Sequence, residues 1–226
     1  MTNLTYYLMA PGPVQIPQEV LNEMAKPMIH HRTPEFDAIL SETLGLLKKF
    51  FCTEQPVYIQ TSTGSGAMEA AIVNTLSPGD KVIAVVSGKF GERWRDMAET
   101  YGMNVVTIDV EWGEALKPEV LEKTLSQHPH TKAVLTQVCE TSTAVIHPIK
   151  EIAKIVNQKA NTLLVVDAIT AIGVTELLMD EWGIDIVVAG SQKAFMPPPG
   201  LPFIPFFKKT WGVVEKFKCP KIYFVI

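Results

Sequence analysis

A chain of 226 residues, 47% hydrophobic and 19% charged, is long enough for one large α/β domain, or for one domain and part of a second. Its net charge of −4 at pH 7 gives no electrostatic basis for binding nucleic acid or an anionic membrane. The apolar runs are strand-sized, far below the roughly 20 residues of a membrane helix, and the N-terminus shows no pattern of a secretion signal.

The cysteines and histidines favour a reducing compartment and argue against a metal site. Cys52, Cys139 and Cys219 lie far apart and form no CxxC pair, which is typical of a cytoplasmic protein. The histidine pairs at 30/31 and 128/130 have no acidic or cysteine partner at metal-ligand spacing. We therefore expect a cytoplasmic location and no bound metal.

The first 56 residues differ from the rest of the chain. They begin with an extended, proline-rich segment, 1–16, that contains "APGPVQI". Two helices are then predicted, from Gln18 to Lys26 and from about Pro34 to Phe51.

From residue 57 onward, strand-like and helix-like segments alternate. The predicted strands are short, rich in Val and Ile, and apolar on both faces, as in a parallel sheet covered on both sides. They span 57–62, 81–87, 104–110, 132–139, 162–169 and 185–191. Between them lie segments of helical length, the last being "TELLMDEWG". These repeated βα units predict a three-layer αβα sandwich with a mostly parallel sheet and right-handed crossovers.

A glycine-rich turn, "STGSGAMEAA", follows the first predicted strand. Its small residues let the backbone turn sharply into a helix, and the helix amides with the hydroxyls of Thr63 and Ser65 are suited to holding a phosphate. An ordinary glycine-rich βα turn has the same composition. The turn lacks the Gly-Lys-Ser/Thr of a Walker loop and the third glycine of a dinucleotide motif.

Two charged residues end consecutive predicted strands. Asp167 ends "LLVVD", where a buried carboxylate needs a cation or a strong donor; the alternative is an N-cap or turn aspartate. Lys193 follows the strand at 185–191, where a lysine is most often a solvated surface group. Ligands of an open parallel sheet bind beyond the carboxyl ends of its strands, where both residues and the glycine-rich turn emerge. A phosphate cradle, a buried carboxylate and a lysine are the groups that pyridoxal phosphate requires.

Six motifs in order resemble the class V aminotransferases of pyridoxal-phosphate fold type I, and most of all the alanine–glyoxylate and serine–glyoxylate (serine–pyruvate) group. They are "APGP", "TSTGSGAMEAA", "SGKFGERW", "ETSTAV", "VVDAITAIG" and "AGSQKAF" with a following "PPG". The resemblance is unbroken from about residue 10 to about residue 196. It implies a cofactor-binding large domain over 17–226, an N-terminal segment 1–16 near the active site, and a homodimer.

The resemblance also implies roles for single residues in catalysis. Lys193 corresponds to the lysine that forms a Schiff base with pyridoxal phosphate, and Asp167 to the partner of the pyridine nitrogen. Phe90 falls where the family stacks an aromatic ring on the cofactor, although as bare sequence it indicates packing at a helix start. Thr141 matches the donor to the phenolic oxygen of the cofactor.

Further residues correspond to positions that bind the phosphate or adjoin the substrate. Gln192 matches a residue that usually reaches the phosphate, and Gly12 lies in the loop beside the substrate. The phosphate-binding turn itself corresponds to Thr63, Gly64 and Ser65. The implied reaction is a two-step transamination from a small amino acid, alanine or serine, to a small 2-oxo acid such as glyoxylate or pyruvate.

The sequence departs from the family pattern after Met196. Relatives continue into a small domain that supplies an arginine for the substrate carboxylate; this chain ends earlier with no arginine after Arg95, so we expect the small domain to be missing and name no such arginine. Proline removes a ladder donor, so Pro202 and Pro205 predict a broken or frayed strand at 202–207, or a new sheet edge.

Two alternatives to an active aminotransferase stay open. One is a truncated fragment that binds pyridoxal phosphate and is catalytically impaired. The other is a cysteine desulfurase or lyase of the same fold. Those enzymes usually place a histidine before the lysine and stack a histidine on the cofactor, where this chain has Gln192 and Phe90.

Overall fold

In a computed structural model, residues 7–214 are described, and they form a seven-stranded sheet and a small two-stranded hairpin. The strands in chain order are β1 (Val57–Ile59), β2 (Lys81–Val86), β3 (Asn104–Asp109), β4 (Ala133–Gln137), β5 (Cys139–Glu140), β6 (Val145–Ile146), β7 (Leu163–Asp167), β8 (Ile186–Gly190) and β9 (Pro202–Pro205). The helices are α1 (Gln18–Met24), α2 (Pro34–Phe51), α3 (Gly64–Thr75), α4 (Lys89–Thr100), α5 (Pro118–Gln127), α6 (Ile149–Val156), α7 (Met179–Trp182) and α8 (Lys208–Val214).

The large sheet has the strand order β1-β9-β8-β7-β4-β2-β3. Strands β3, β2, β4, β7 and β8 run parallel, and β9 is antiparallel to both of its neighbours. The predicted mostly parallel α/β sheet is confirmed. Because β1 and β8 are both antiparallel to β9, β1 runs in the same direction as the parallel strands. The carboxyl ends of all these strands therefore lie at the same edge of the sheet.

Two hydrophobic cores cover the two faces of this sheet. Successive residues of each buried strand alternate between them, as the pleat requires: Leu163 packs with α3 and α4, and Leu164 with α2, α5 and α6. Trp94 of α4 is fully buried in the first core, and Phe51 of α2 in the second. The molecule is therefore the expected three-layer αβα sandwich.

Local sequence explains where several helices begin and end. The Thr33 hydroxyl caps α2 by accepting from Phe36 N at 3.3 Å, and Pro34 fits its first turn. Of the predicted helix "TELLMDEWG", only Met179–Trp182 is helical, because the carbonyl of Ala171 accepts from Thr175 N in a turn that takes up the start of this segment. Within residues 7–214, no helix combines the length and apolar character needed to cross a bilayer.

The prediction of a broken strand at 202–207 is wrong. Strand β9 pairs with β8 on one side and with β1 on the other. Its neighbours compensate for the missing proline donors: Gln60 N donates to Pro202 O at 3.2 Å, and Ser191 N donates to the carbonyl before Pro202 at 3.0 Å. Ile204 between the prolines is fully buried. The strand is therefore an interior member of the sheet and no edge.

Candidate active site

Lys193 lies just beyond the end of β8, half-buried beneath the N-terminal segment. Its Nζ is 3.4 Å from the carbonyl oxygen of Pro11, to which it donates, and Val14 N donates to the carbonyl of Gln192 at 3.0 Å. Gly12 faces the lysine with φ +142°, and a Cβ there would lie 2.5 Å from Nζ. Burial lowers the pKa of Lys193, while the nearby charge of Asp167 opposes that change.

Asp167 ends β7, the strand next to β8, and its side chain is buried. One carboxylate oxygen accepts from Ile169 N at 2.8 Å. Burial raises the pKa of Asp167 to about 7, against the lowering effects of the Ile169 hydrogen bond and the charges of Arg93 and Lys193. A buried carboxylate of this kind is stabilised as an anion by a cationic partner.

The glycine-rich turn leads from β1 into α3 at the same edge of the sheet. Thr63 is the N-cap residue of α3, and its exposed side chain makes no capping hydrogen bond. Gly64 packs against Ile169, where a Cβ would lie 3.0 Å from Cγ1. Ser65 Oγ accepts from Arg93 Nη1 at 3.0 Å. The first amides of a helix lack intrahelical acceptors, so hydroxyls, amides and a guanidinium meet at this turn.

Helix α4 brings an aromatic ring to this region. Phe90, in its first turn, is half-buried, and the guanidinium carbon of Arg93 lies 5.1 Å from its ring centre. Phe90 is absent from the side chains that build the two cores of the described chain. Arg93 thus links Phe90 to Ser65 of the turn.

Thr141 follows the short strand β5, and its hydroxyl lies 2.7 Å from that of Thr170, three residues after Asp167. The structure therefore brings the predicted residues of six separate segments to one edge of the sheet. Sequence reasoning missed Thr170, Arg93 and Glu140 at this edge. Each lies inside one of the six family motifs, and this position was the signal in the sequence that could have identified it as a site residue.

A comparison with known families shows to which family the chain belongs. The sequence model of the family described as aminotransferase class V matches residues 6–218. The chain belongs to the class V aminotransferase family. Class V aminotransferases depend on pyridoxal phosphate, and the chain has their fold type I architecture.

Several relatives of the chain are named as glyoxylate aminotransferases. It is 40% identical to L-aspartate–glyoxylate aminotransferase of Paracoccus denitrificans, over 96% of this chain and 56% of that protein. It is 34% identical to serine–glyoxylate aminotransferase of Arabidopsis thaliana, over 97% and 56%. The crystal structure of alanine–glyoxylate aminotransferase from Nostoc sp. superposes with a TM-score of 0.89 at 32% identity, over 96% and 58%. The chain spans about half the length of the relatives it matches.

The residues at this edge of the sheet fit pyridoxal phosphate. The turn at 63–65 offers hydroxyls and a helix N-terminus for the phosphate. Asp167 offers a buried anion for a protonated ring nitrogen, and Lys193 an amine whose pKa is lowered. Phe90 offers a partly exposed ring.

Proposed function

We propose that this chain carries the cofactor-binding part of a transaminase that moves an amino group from alanine or serine to glyoxylate or pyruvate. The observation that carries the proposal is that Asp167 and Lys193 lie at the ends of adjacent strands, where the charge of Asp167 acts on the lysine and the lysine is half-buried against Gly12. Pyridoxal phosphate, when bound, supplies an aldehyde for the amine and a ring that accepts electrons.

Lys193 supplies the amine and the proton transfer in this proposal. Burial lowers the pKa of Lys193, so more of the side chain is a neutral nucleophile near neutral pH than for an exposed lysine. With pyridoxal phosphate and an amino acid bound, the free Nζ of Lys193 would take the proton from the substrate Cα and return it at the aldehyde carbon of the cofactor. The carbonyl of Pro11 and the backbone of Gly12 restrict where Nζ lies.

The other residues hold and polarise the cofactor. Asp167 would keep the ring nitrogen of bound pyridoxal phosphate protonated, and that positive charge would in turn favour the ionised carboxylate, which is otherwise destabilised by burial. With the cofactor bound, Phe90 would pack on the ring, and Thr141 would donate to its phenolic oxygen. The phosphate would be held by Gln192, Thr63, Gly64 and Ser65.

The choice of substrates is supported by the names of relatives. The enzymes of Paracoccus denitrificans, Arabidopsis thaliana and Nostoc sp. are named for different amino donors and share glyoxylate. A small 2-oxo acid is therefore the better supported half of the proposed reaction. The second candidate is a catalytically impaired fragment that binds pyridoxal phosphate, and the absorption titration below distinguishes it from an active enzyme.

We also propose that the chain forms a homodimer through α1 and α2, with a second copy as the occupant of this face. Helix α2 buries only Leu47 and Phe51, and large apolar side chains are exposed on both helices. These are Leu21, Met24, Ile39, Leu40, Leu46 and Phe50. Such patches mark interfaces, and two-fold dimers are the commonest assembly.

The free Cys52 and Cys139 support a reducing, cytoplasmic location.

Sedimentation velocity tests the dimer. The wild-type chain should sediment as a dimer, and Ile39→Lys as a monomer, because the charge lies in the proposed interface. Val120→Lys is the matched control, since Val120 is an apolar residue, 43% exposed, on a different helix, α5. A monomeric wild-type chain, or equal dissociation by both variants, contradicts this interface.

An absorption titration with pyridoxal phosphate tests the function. The wild-type chain should develop the visible absorption of a lysine-bound cofactor, and Lys193→Ala should not. Addition of alanine or serine should bleach the band and release the corresponding 2-oxo acid. A band without bleaching supports the impaired fragment, and release of alanine with sulfur from cysteine supports a desulfurase. If no band forms in the wild-type chain, the proposal is wrong.

A further inference from the structure

The carboxylate of Glu140 is fully buried and occupies the N-terminus of α4. It accepts from Phe90 N at 3.1 Å and from Gly91 N at 3.0 Å. The same oxygen, Oε2, also accepts from Gln137 Nε2 at 3.2 Å. The amide and hydroxyl of Ser142 donate to the other oxygen, Oε1, at 3.2 and 2.6 Å. Every one of these donors belongs to a residue near a strand end at the active-site edge.

These contacts compensate for burying a charge. A buried carboxylate is costly unless strong donors surround it, and the positive end of a helix dipole stabilises it further. Helix α4 has no capping side chain of its own, because its N-cap residue is Gly88. Glu140, which is distant in sequence, caps the helix instead. A side chain at position 88 would collide with it, since a Cβ on Gly88 would lie only 2.6 Å from Cδ of Glu140.

The start of α4 has little room to move. A Cβ on Gly91 would lie 2.5 Å from the carbonyl oxygen of Val85 and 2.7 Å from Cα of Val86, so the helix backbone is pressed against β2. Glu140 closes the other side by holding the amides of Phe90 and Gly91. The direction of the Phe90 ring is therefore set between β2 and this carboxylate.

A buried hydrogen-bond network holds the carboxylate in turn. Gln137 Nε2 also donates to Ser87 Oγ at 3.2 Å, and Ser87 Oγ lies 2.8 Å from His147 Nε2. His147 Nδ1 accepts from Leu116 N at 3.0 Å. Because Nδ1 accepts from an amide, the ring proton of the neutral imidazole is on Nε2 and is donated to Ser87. The network ties Gln137 in place from three segments.

We propose that Glu140 is a positioning residue that sets the Phe90 ring against the cofactor. The proposal rests on the proposed role of Phe90 in binding pyridoxal phosphate. A carboxylate that only stabilised the fold would act on affinity independently of the Phe90 ring. A carboxylate that orients the ring loses its effect on affinity when the ring is removed.

A double-mutant cycle separates these cases. The dissociation constant of pyridoxal phosphate is measured by absorption for wild type, Glu140→Gln, Phe90→Leu and the double variant. In Glu140→Gln one carboxylate oxygen becomes an NH₂, so the side chain loses its charge and one of the two acceptors that face the helix amides and Ser142. Each single change should weaken binding by about tenfold, the scale of one aromatic contact, and the double variant should be no weaker than Phe90→Leu. Visible circular dichroism of the bound cofactor should change in the same way in both single variants.

Two further variants keep the test decisive. Asp180→Asn is the matched control: Asp180 accepts from Thr53 Oγ1 at 2.6 Å and from Glu54 N at 2.9 Å, away from the site, and its variant should bind the cofactor as wild type does. If Glu140→Gln does not fold, Ser142→Ala replaces it. Ser142 is exposed and its loss frees one oxygen of Glu140, so the same cycle with Phe90→Leu applies.

The outcomes are distinguishable from failure of the proposed function. Additive effects in a chain whose wild type binds the cofactor overturn the positioning role and leave the function standing. An equal loss of affinity in Asp180→Asn also overturns it, because the effect is then general destabilisation. Absence of binding in the wild-type chain overturns the function and the positioning role together.

Discussion

The backbone of Gly12 lies directly against the side chain of Lys193. A Cβ at position 12 would lie 2.5 Å from Nζ and 2.7 Å from Cε of the lysine, and the φ of +142° is one that residues with side chains rarely adopt. The N-terminal segment is thus a wall of the pocket around Nζ, held there by the hydrogen bond from Val14 N to Gln192 O. Only glycine leaves room for the observed lysine position.

Gly12→Ala should displace Lys193 and reduce the amount of lysine-bound pyridoxal phosphate, as the clash leaves no space for both groups. We expect affinity to fall by about tenfold or more, while the free energy of unfolding changes by only about 1 kcal/mol, because the segment lies at the surface. Gly45→Ala is the control, since a Cβ there meets nothing within 4 Å in the middle of α2. Equal affinity of Gly12→Ala and wild type would disprove the contact.

Arg93 should control the ionisation of Asp167 in the cofactor-free chain. Burial raises the pKa of Asp167 to about 7, and the charge of Arg93 opposes that rise. Arg93→Gln removes the opposing charge, so the pKa of Asp167 should rise further. Carboxyl carbon NMR of the aspartates against pH measures it. In Arg95→Gln, which removes a surface pair with Asp96, the Asp167 titration should stay where it is; a shift there instead would mean that the effect is not local.

The sequence predicted the sheet and the edge where the site lies because both depend on local patterns. Strands rich in Val and Ile gave β2, β3, β4, β7 and β8 within one or two residues at each end. Parallel pairing then required Asp167 and Lys193 to emerge at the same edge. The contacts of Arg93 with Ser65 and of Glu140 with Phe90 join residues 28 and 50 positions apart. Their side-chain geometry follows from packing, which no local pattern contains.

The prolines of β9 illustrate a different limit. A rule about lost donors treats each proline alone, whereas the strand is held by its neighbours' hydrogen bonds and by burial. Phe203 and Ile204 are buried, and Phe207 N donates to Asp185 O at 2.8 Å just beyond Pro205. Packing thus outweighs the missing ladder donors.

Ile204→Ala should show how firmly β9 is held. Ile204 is fully buried between β1 and α3, so removal of its side chain should lower the free energy of unfolding by about 2–5 kcal/mol. Urea unfolding followed by circular dichroism measures the change. Leu201→Ala, at a residue 43% exposed one position before the strand, should cost about 1 kcal/mol or less. A similarly small cost for Ile204→Ala would mean that the strand is frayed.

His147 should make stability depend on pH in a defined direction. Burial lowers its pKa from the ordinary 6.5 to about 4, against the opposing charge of Glu140. Between these values the unfolded chain binds more protons at this residue than the folded chain, so the free energy of unfolding rises with pH. The contribution is fully present above pH 6.5 and is lost as the pH falls through about 4.

His147→Asn removes this titration and the hydrogen bond to Ser87. The side-chain oxygen of the asparagine can replace Nδ1 of the histidine as an acceptor for Leu116 N. At pH 7 the variant should be less stable by about 1–3 kcal/mol, because it leaves buried Ser87 short of a partner. The difference should narrow as the pH falls from 6.5 to 4, since only wild type loses the His147 contribution; Asp167 titrates in both proteins and cancels. Urea unfolding at several pH values measures this, with the exposed His130→Asn as control. A difference that stays constant across the range would show that His147 is not held neutral by its burial.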